Sequence, residues 1–380
     1  MRDVKIRFNQ PPVVGTELGE ITKALEEGKL AGNGSYTHRC HEWFESQLGV
    51  QKALLTHSCT AALEMAALLF DFGPDDEVIL PSYTFVSTAN AFALRGAKLK
   101  FIDIREDTLN IDESLLDKEI TGQTKAICPV HYAGIGCEMD AILKSAQCYN
   151  VPVVEDAAQA MCSRYKNRNL GTIGELGCYS FHETKNIVSG EGGVLLINDE
   201  RFIERAEIIR EKGTNRSQFF RGQTDKYTWV DIGSSYLPSE LVAAFLYAQL
   251  NAADRITDLR VKAWQRYQSG LRDLEEAGHV RLPVIPEHTV HNGHMFYMLM
   301  PSEQKRNNLL NILNREGINA VFHYIPLHSS PMGIKLSGGK VPNLPVTDDL
   351  SARLIRLPLY VDIDPDIQER IINIIKMNAV

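Results

Sequence analysis

The chain has 380 residues, 44% hydrophobic and 23% charged, without a low-complexity tract. That composition is soluble and globular, with length for a sizeable core in two or three domains. A net charge of -8 and a pI near 5.8 argue against a sequence-independent grip on nucleic acid, and no apolar run approaches the ~18–20 residues that span a bilayer.

The N-terminal stretch MRDVKIRFNQPP is charged and lacks an apolar run, so no signal peptide is expected there. Leu18, Ile21, Ala24 and Leu25 recur at helical spacing. The Gly-rich turn at 31–36, ending in Tyr36, breaks that pattern before a second helix with Phe44 and Leu48 on its apolar face. Ala53–Thr56 reads as a strand running into His57-Ser-Cys-Thr-Ala-Ala62 and then a helix. Small residues between a strand and a helix suit a phosphate, because the first backbone amides and the helix dipole point at it. They equally suit an ordinary N-cap.

Strands are predicted at Glu77–Leu80, Lys98–Asp103, Lys125–His131 and Val151–Val154, with helices at Ala89–Leu94, Asp112–Glu119 and Glu138–Tyr149 between them. Such alternation means βαβ units and a mostly parallel sheet covered on both faces. Ligands bind beyond the carboxyl ends of strands in these sheets, where Thr60, Phe85, His131 and Asp156 fall.

The stretch CYSFHETKNIVSGEGG, Cys178 to Gly193, sets Lys185 in a polar turn closed by glycines and followed by the buried strand Val194–Ile197. A lysine among small and polar residues between strands is a candidate Schiff-base former, since desolvation beside another cationic centre frees its amine to attack a carbonyl. An exposed loop lysine is the competing reading. After the helix Asp199–Gly213 comes a polar, basic and aromatic segment, Thr214–Trp229, with little periodicity. A loop of that length in a compact domain is functional or disordered, and its four aromatics argue against disorder. Residues 238–275 are helical. A smaller C-terminal part then shows a strand at Met295–Met300, a helix at Gln304–Glu316, a strand at Ala320–Tyr324 and a last helix at Pro365–Met377.

Seven cysteines, odd in number and without a CxxC pair, predict unpaired thiols and a reducing, cytoplasmic setting. His38–His41 with Cys40, and His291–His294, have close spacings but no second pair at zinc-like separation, so no metal site is expected.

The segments SCTAALE (58–64), DEVILPSYTFVSTANA (76–91), VHYAGIGCEMD (130–140), VEDAAQA (154–160), SFHETKN (180–186) and YIPLHSSP (324–331), in this order, resemble the sugar-nucleotide aminotransferases of the DegT/DnrJ/EryC1/StrS family. The resemblance implies an α/β, fold type I architecture like that of aspartate aminotransferase, with pyridoxal 5′-phosphate as cofactor. It implies a large domain at 12–250 with a mostly parallel sheet and a smaller α+β domain at 251–380, against which residues 1–11 pack.

The resemblance makes Lys185 the catalytic lysine that carries the cofactor as a Schiff base, and Asp156 the partner of the pyridine nitrogen. Gln159 matches the partner of the ring hydroxyl and Phe85 the aromatic stacked on the ring. Ser58, Cys59, Thr60, Ala61 and Ser180 match the phosphate site. It also implies a homodimer with shared active sites. Ser235 stands where many members have an asparagine that reaches the neighbouring cofactor's phosphate.

EIIREKGTNRSQFFRGQ and DKYTW resemble the branch that aminates C4 of dTDP-4-keto-6-deoxyglucose with L-glutamate for surface polysaccharide or O-antigen synthesis. Tyr36, Asn215, Arg216, Arg221, Lys226, Tyr227 and His328 are the implied sugar-nucleotide contacts. The loop from Asn186 to the double glycine is one residue shorter than in the galacto-forming members, which leaves galacto and gluco products both open. A C3-aminating enzyme is the alternative, followed by a non-catalytic binding protein of the same fold.

Overall fold

The computed structural model describes residues 6–379. The large domain is built on β1 (Lys52–Thr56), β2 (Glu77–Pro81), β3 (Lys98–Ile102), β4 (Thr124–Ile127), β5 (Val154–Asp156), β6 (Leu176–Ser180) and β7 (Gly193–Ile197). Hydrogen bonding gives β1-β7-β6-β5 and β3-β2-β4, and single bridges Ile127–Val153 and Val130–Asp156 join β4 to β5. The spatial order is therefore β1-β7-β6-β5-β4-β2-β3. Only β7 runs against the rest, pairing antiparallel with both β1 and β6.

β6 and β7 are buried at every residue, which is why they read as continuous apolar runs rather than alternating ones. Close backbone approach demands glycine in both. A Cβ on Gly177 would sit 2.0 Å from the Gly171 carbonyl oxygen, and one on Gly193 would sit 2.4 Å from the Cys59 amide nitrogen. The second contact seats the start of β7 on the first turn of the helix Cys59–Leu69, next to Lys185's turn.

The Gly-rich turn before the helix Ser35–Leu48 has a packing purpose. A Cβ on Gly32 would meet the Pro238 carbonyl oxygen at 2.4 Å. Buried Glu240 accepts from the Gly34 amide at 2.9 Å and the Tyr36 amide at 2.8 Å, placing a carboxylate on that helix's N-terminus. The predicted helix at 238–275 is two helices, Glu240–Leu250 and Ala253–Glu276, broken at Asn251-Ala252. Within the aperiodic 214–229 loop, Arg216–Phe220 forms a short helix, and a bridge between Thr214 and Trp229 closes the loop.

In the C-terminal part, β8 (Phe296–Leu299) and β9 (Leu354–Leu357) pair antiparallel under the helices Glu303–Arg315 and Pro365–Asn378. The expected strand at Ala320–Tyr324 does not form. Val321 exchanges both backbone hydrogen bonds with Arg356, then the chain leaves the sheet and Leu327 bonds to Ser82 of the large domain. Ile6 bridges to Ile318, and the Leu359 amide donates to the Phe8 carbonyl. Residues 1–5 of the N-terminal segment expected to pack here lie outside the described residues. A cluster including Tyr83, Tyr132, Met295, Tyr297 and Leu354 fills the space between the large domain and this part.

Candidate active site

A cavity of about 490 Å³ opens at the carboxyl ends of β5 and β6, between the two parts of the chain. Lys185 enters it from a turn fixed on both sides. Its own amide donates to the His182 carbonyl at 2.9 Å, and Ser189 donates back to Phe181 at 2.8 Å. The next residue, Asn186, donates to the Asn292 carbonyl at 2.9 Å and bonds His294 Nδ1 at 3.0 Å. Burial drives the Lys185 ammonium below the usual lysine range, against the opposing fields of Cys59 and Asp156. The amine is thus free of its proton at a lower pH than an ordinary lysine's.

Asp156 ends β5, 4% exposed. Thr88 Oγ donates to one carboxylate oxygen at 2.6 Å and the Ala158 amide to the other at 3.1 Å. Three residues on, Gln159 Oε1 accepts from the Ala133 amide at 2.7 Å, and its Nε2 donates to the Tyr324 hydroxyl at 2.9 Å. Behind it, Asn292 Nδ2 donates to the Gln159 and Met161 carbonyls at 2.9 and 2.8 Å. Asn292 therefore ties the Lys185 turn, through its backbone carbonyl, and the Asp156–Gln159 segment, through its side chain, to one residue.

Ser58, Cys59 and Thr60 line the cavity at the start of the helix Cys59–Leu69. Ser58 caps that helix by accepting from the Ala61 amide at 3.1 Å, and Thr60 Oγ donates to Ser87 at 2.7 Å. Ser180 lines the same cavity, as does Phe85, which is 56% exposed and has its ring 6.2 Å from that of Tyr324.

Several expected contacts lie elsewhere. Ala61 does not line the cavity, because its amide serves the Ser58 cap. Tyr36 is fully buried and donates to Glu20 at 2.7 Å, so it is a core residue and not a sugar contact. His328 is 1% exposed, bonds Ser82 Oγ at 2.7 Å and faces Asp348 at 3.3 Å, so it fastens the C-terminal part to the large domain. Ser235 is exposed, with its backbone bridged to Glu211.

Arg216 and Arg221 line a second cavity of about 390 Å³ with Lys29, Lys52 and Arg210. Arg221 pairs with Glu207 at 2.7 Å and Arg216 with Glu211 at 3.7 Å. Asn215 closes its own loop by accepting from the Thr228 amide at 2.8 Å, while Lys226 and Tyr227 are exposed.

Sequence reasoning missed Phe8, His323 and Arg356, which also line the first cavity, as does His294, noted in the sequence only for its spacing from His291. None carries a local signal, although Arg356 opens the RLPLY segment and Tyr324 opens YIPLHSSP. Among the described residues, no group of three or more His, Cys, Asp or Glu can hold a metal, no helix is long and apolar enough to cross a membrane, and all seven cysteines are free.

The DegT/DnrJ/EryC1/StrS aminotransferase family matches residues 13–376. The spore coat polysaccharide biosynthesis protein SpsC of Bacillus subtilis is 33% identical over 374 residues, covering 96% of this chain and 95% of its own. Among solved structures, the aminotransferase TlmJ from Streptoalloteichus hindustanus matches with a TM-score of 0.90 at 27% identity, over 98% of both chains. The putative sugar aminotransferase Spr1654 from Streptococcus pneumoniae, in its PLP form, matches with a TM-score of 0.89 at 25% identity, again over 98% of both. Fold and sequence agree over nearly the whole length: the chain belongs to the DegT/DnrJ/EryC1/StrS family and is a pyridoxal-phosphate-dependent sugar aminotransferase.

Proposed function

We propose that this enzyme aminates C4 of a nucleotide-linked keto sugar, dTDP-4-keto-6-deoxyglucose, with L-glutamate as donor, as a homodimer with shared active sites. The cavity residues fit the cofactor in kind. One amine, one immobilised carboxylate and the N-terminal turn of a capped helix face a single space, and Gly193 lets the backbone close against that turn. Bound pyridoxal phosphate supplies an aldehyde and an electron-accepting ring through which the amino group is carried from donor to acceptor.

Lys185 Nζ, its proton loosened by burial, would hold the cofactor through that aldehyde and, as a free amine, would carry a proton. Asp156, kept from rotating by Thr88 and Ala158, holds a proton on the ring nitrogen. Gln159 takes the ring hydroxyl and Phe85 the ring face, while Ser58, Cys59, Thr60 and Ser180 take the phosphate.

The observation that carries a nucleotide-linked acceptor is the second cavity, where Lys29, Lys52, Arg210, Arg216 and Arg221 outnumber the carboxylates Glu207 and Glu211 beside the 214–229 loop. Guanidinium and ammonium groups so concentrated suit a diphosphate. The loop's outward aromatics favour a second chain, with Trp229 76% and Phe220 67% exposed. Ser235, also exposed, then serves a neighbouring site only across that dimer. SpsC's part in spore coat polysaccharide synthesis supports a product destined for a surface polysaccharide.

Incubation with dTDP-4-keto-6-deoxyglucose and L-glutamate, followed by NMR of the product, tests the proposal. Nitrogen at C4 is expected, and the C4 proton couplings report its epimer. Nitrogen at C3 would establish the alternative regiochemistry, and no turnover of any dTDP-keto sugar would sink the acceptor assignment.

A further inference from the structure

His294 reaches the first cavity from the C-terminal part, two residues before β8. It is 6% exposed and fixed on three sides. Its amide donates to Asn292 Oδ1 at 3.0 Å, and its carbonyl accepts from buried Arg260 at 2.7 Å. On the ring, Nδ1 lies 3.0 Å from Asn186 Oδ1. The Asn186 amide cannot be turned over, because its Nδ2 already donates to the Asn292 carbonyl. An oxygen therefore faces Nδ1, and Nδ1 carries the proton.

The neutral ring then has its lone pair on Nε2. No described residue donates to Nε2, which is left to the cavity that Lys185 also lines. Burial holds the imidazole well below its ordinary pKa, and the charges of Lys185, Arg260 and Arg356 act in the same direction. At neutral pH Nε2 can therefore accept a hydrogen bond without taking the proton from an ammonium. The other donors around the cavity are occupied. Arg356 lies over the Phe8 ring at 4.6 Å, Gln159 Nε2 donates to the Tyr324 hydroxyl, and Thr88 donates to Asp156. Lys185 Nζ is the one left, on the residue next to the Asn186 that His294 already holds.

We infer that His294 positions Lys185 with both ring nitrogens: Nδ1 fixes the turn through Asn186, and Nε2 receives an N–H of the amine once the amine is free of the cofactor. The inference rests on the reading of Lys185 as the cofactor lysine. The proton stays on Nζ, so Lys185 remains the carrier and His294 sets only where it stands. A ring from the C-terminal part thereby aims an amine that belongs to the large domain.

The test compares enzyme reconstituted with pyridoxal phosphate, which engages Lys185, and with pyridoxamine phosphate, which leaves it free. Histidine labelled with ¹⁵N reports tautomer and hydrogen bonding by NMR, with the His294 signals assigned by their loss in His294→Asn. The Nδ1-protonated tautomer is expected in both forms. The Nε2 signal should move upfield in the pyridoxamine form, and this movement should vanish in Lys185→Ala. Kinetics separates the two nitrogens. Asparagine can still reach Asn186 but places nothing at Nε2, so His294→Asn should lower kcat on the order of 100-fold while KM changes by less than about 3-fold. Glutamine reaches the Nε2 position but drops the bond to Asn186. His294→Gln should therefore keep more of kcat and lose stability instead.

An Nε2 signal that stays in place when Lys185 is freed overturns the inference, as does one that moves equally in Lys185→Ala. An Nε2-protonated tautomer overturns it too, and so does wild-type kcat in His294→Asn. Equal losses of kcat and stability in both His294 variants would give the ring a structural role only. Should neither variant fold, the comparison of wild type with Lys185→Ala still decides. If borohydride fixes the cofactor to a residue other than Lys185, the lysine reading fails. An unmoved Nε2 signal in enzyme whose cofactor is fixed to Lys185 is the failure of this inference alone.

Discussion

At and beside the cavity around Lys185, polar side chains are held by fixed partners. Asp156 is gripped by Thr88 and Ala158, Gln159 by Ala133 and Tyr324, and Asn186 by Asn292 and His294. In the loop between Thr214 and Trp229 the relation is reversed. Asn215 and Thr228 close the loop on itself, exposed contacts such as the Arg221–Glu207 ion pair tie it to the helix before it, and Phe220 and Trp229 face outward. Covalent chemistry needs groups fixed to a fraction of an ångström, so the first region finishes that work within one chain. On the proposed reading, recognition of a large acceptor is left to that surface together with a second chain. Mutations in the two regions should therefore fail differently.

The widest separation is expected at Lys185. Lys185→Ala should lower turnover on the order of 10⁴-fold, since both the bond to the cofactor and the proton carrier are lost. Borohydride should then no longer fix cofactor to the chain, as mass spectrometry of the reduced protein would report. Near-normal turnover in this variant would end the lysine mechanism. Asn292→Ala should act on folding instead. It removes the donor to Gln159 and Met161 and the acceptor for the His294 amide, costing about 2–3 kcal/mol by denaturant titration. Gly134→Ala should reproduce part of that loss, because its φ is +77° and a Cβ would lie 2.1 Å from Asn292 Oδ1. A fully stable Asn292→Ala protein would show that the clamp is dispensable.

In the loop the expected effect is on association. Phe220→Ser with Trp229→Ser should weaken the dimer by about 2 kcal/mol, roughly 30-fold, while leaving cofactor loading intact. Sedimentation over a concentration series would detect the shift. Loss of cofactor binding without dissociation would erase the contrast between the two regions.

What could be read from sequence follows the same division. Asp156 and Thr60 sit at strand ends that alternation alone locates, while Lys185, Gln159 and the rest of the Ser58–Thr60 turn lie in short motifs that the family resemblance joins to them. Arg356, His294 and Phe8 reach the cavity from segments remote in sequence. Only the packing of the C-terminal part and the N-terminal segment decides where they point, and no local pattern records that. The Gly-rich turn at 31–36 was misleading for a related reason. Glycine there permits close passage past Pro238, a packing need that in sequence looks like a ligand loop. Similarly, Ala320–Tyr324 has strand-forming residues, but Val321 alone finds a partner before Tyr324 is drawn to Gln159. Tertiary contacts override local preference at both places.

The smallest effect expected concerns Lys185 without its cofactor. Burial lowers its folded-state pKa, whereas the unfolded chain restores the ordinary lysine value of 10.5. Between those two pKa values the unfolded state binds more protons than the folded one, so stability of the apo protein rises with pH through that window. Below the folded-state pKa the full cost of burying the ammonium is felt, and above 10.5 it disappears. Lys185→Met keeps most of the side-chain volume without the charge. Apo Lys185→Met should therefore be more stable than apo wild type near neutral pH, with the gap closing as pH rises toward the lysine range. Chemical denaturation of both apo proteins at a series of pH values measures the gap. A gap that stays constant with pH would mean that the amine is solvated through the open cavity and that burial does not loosen its proton.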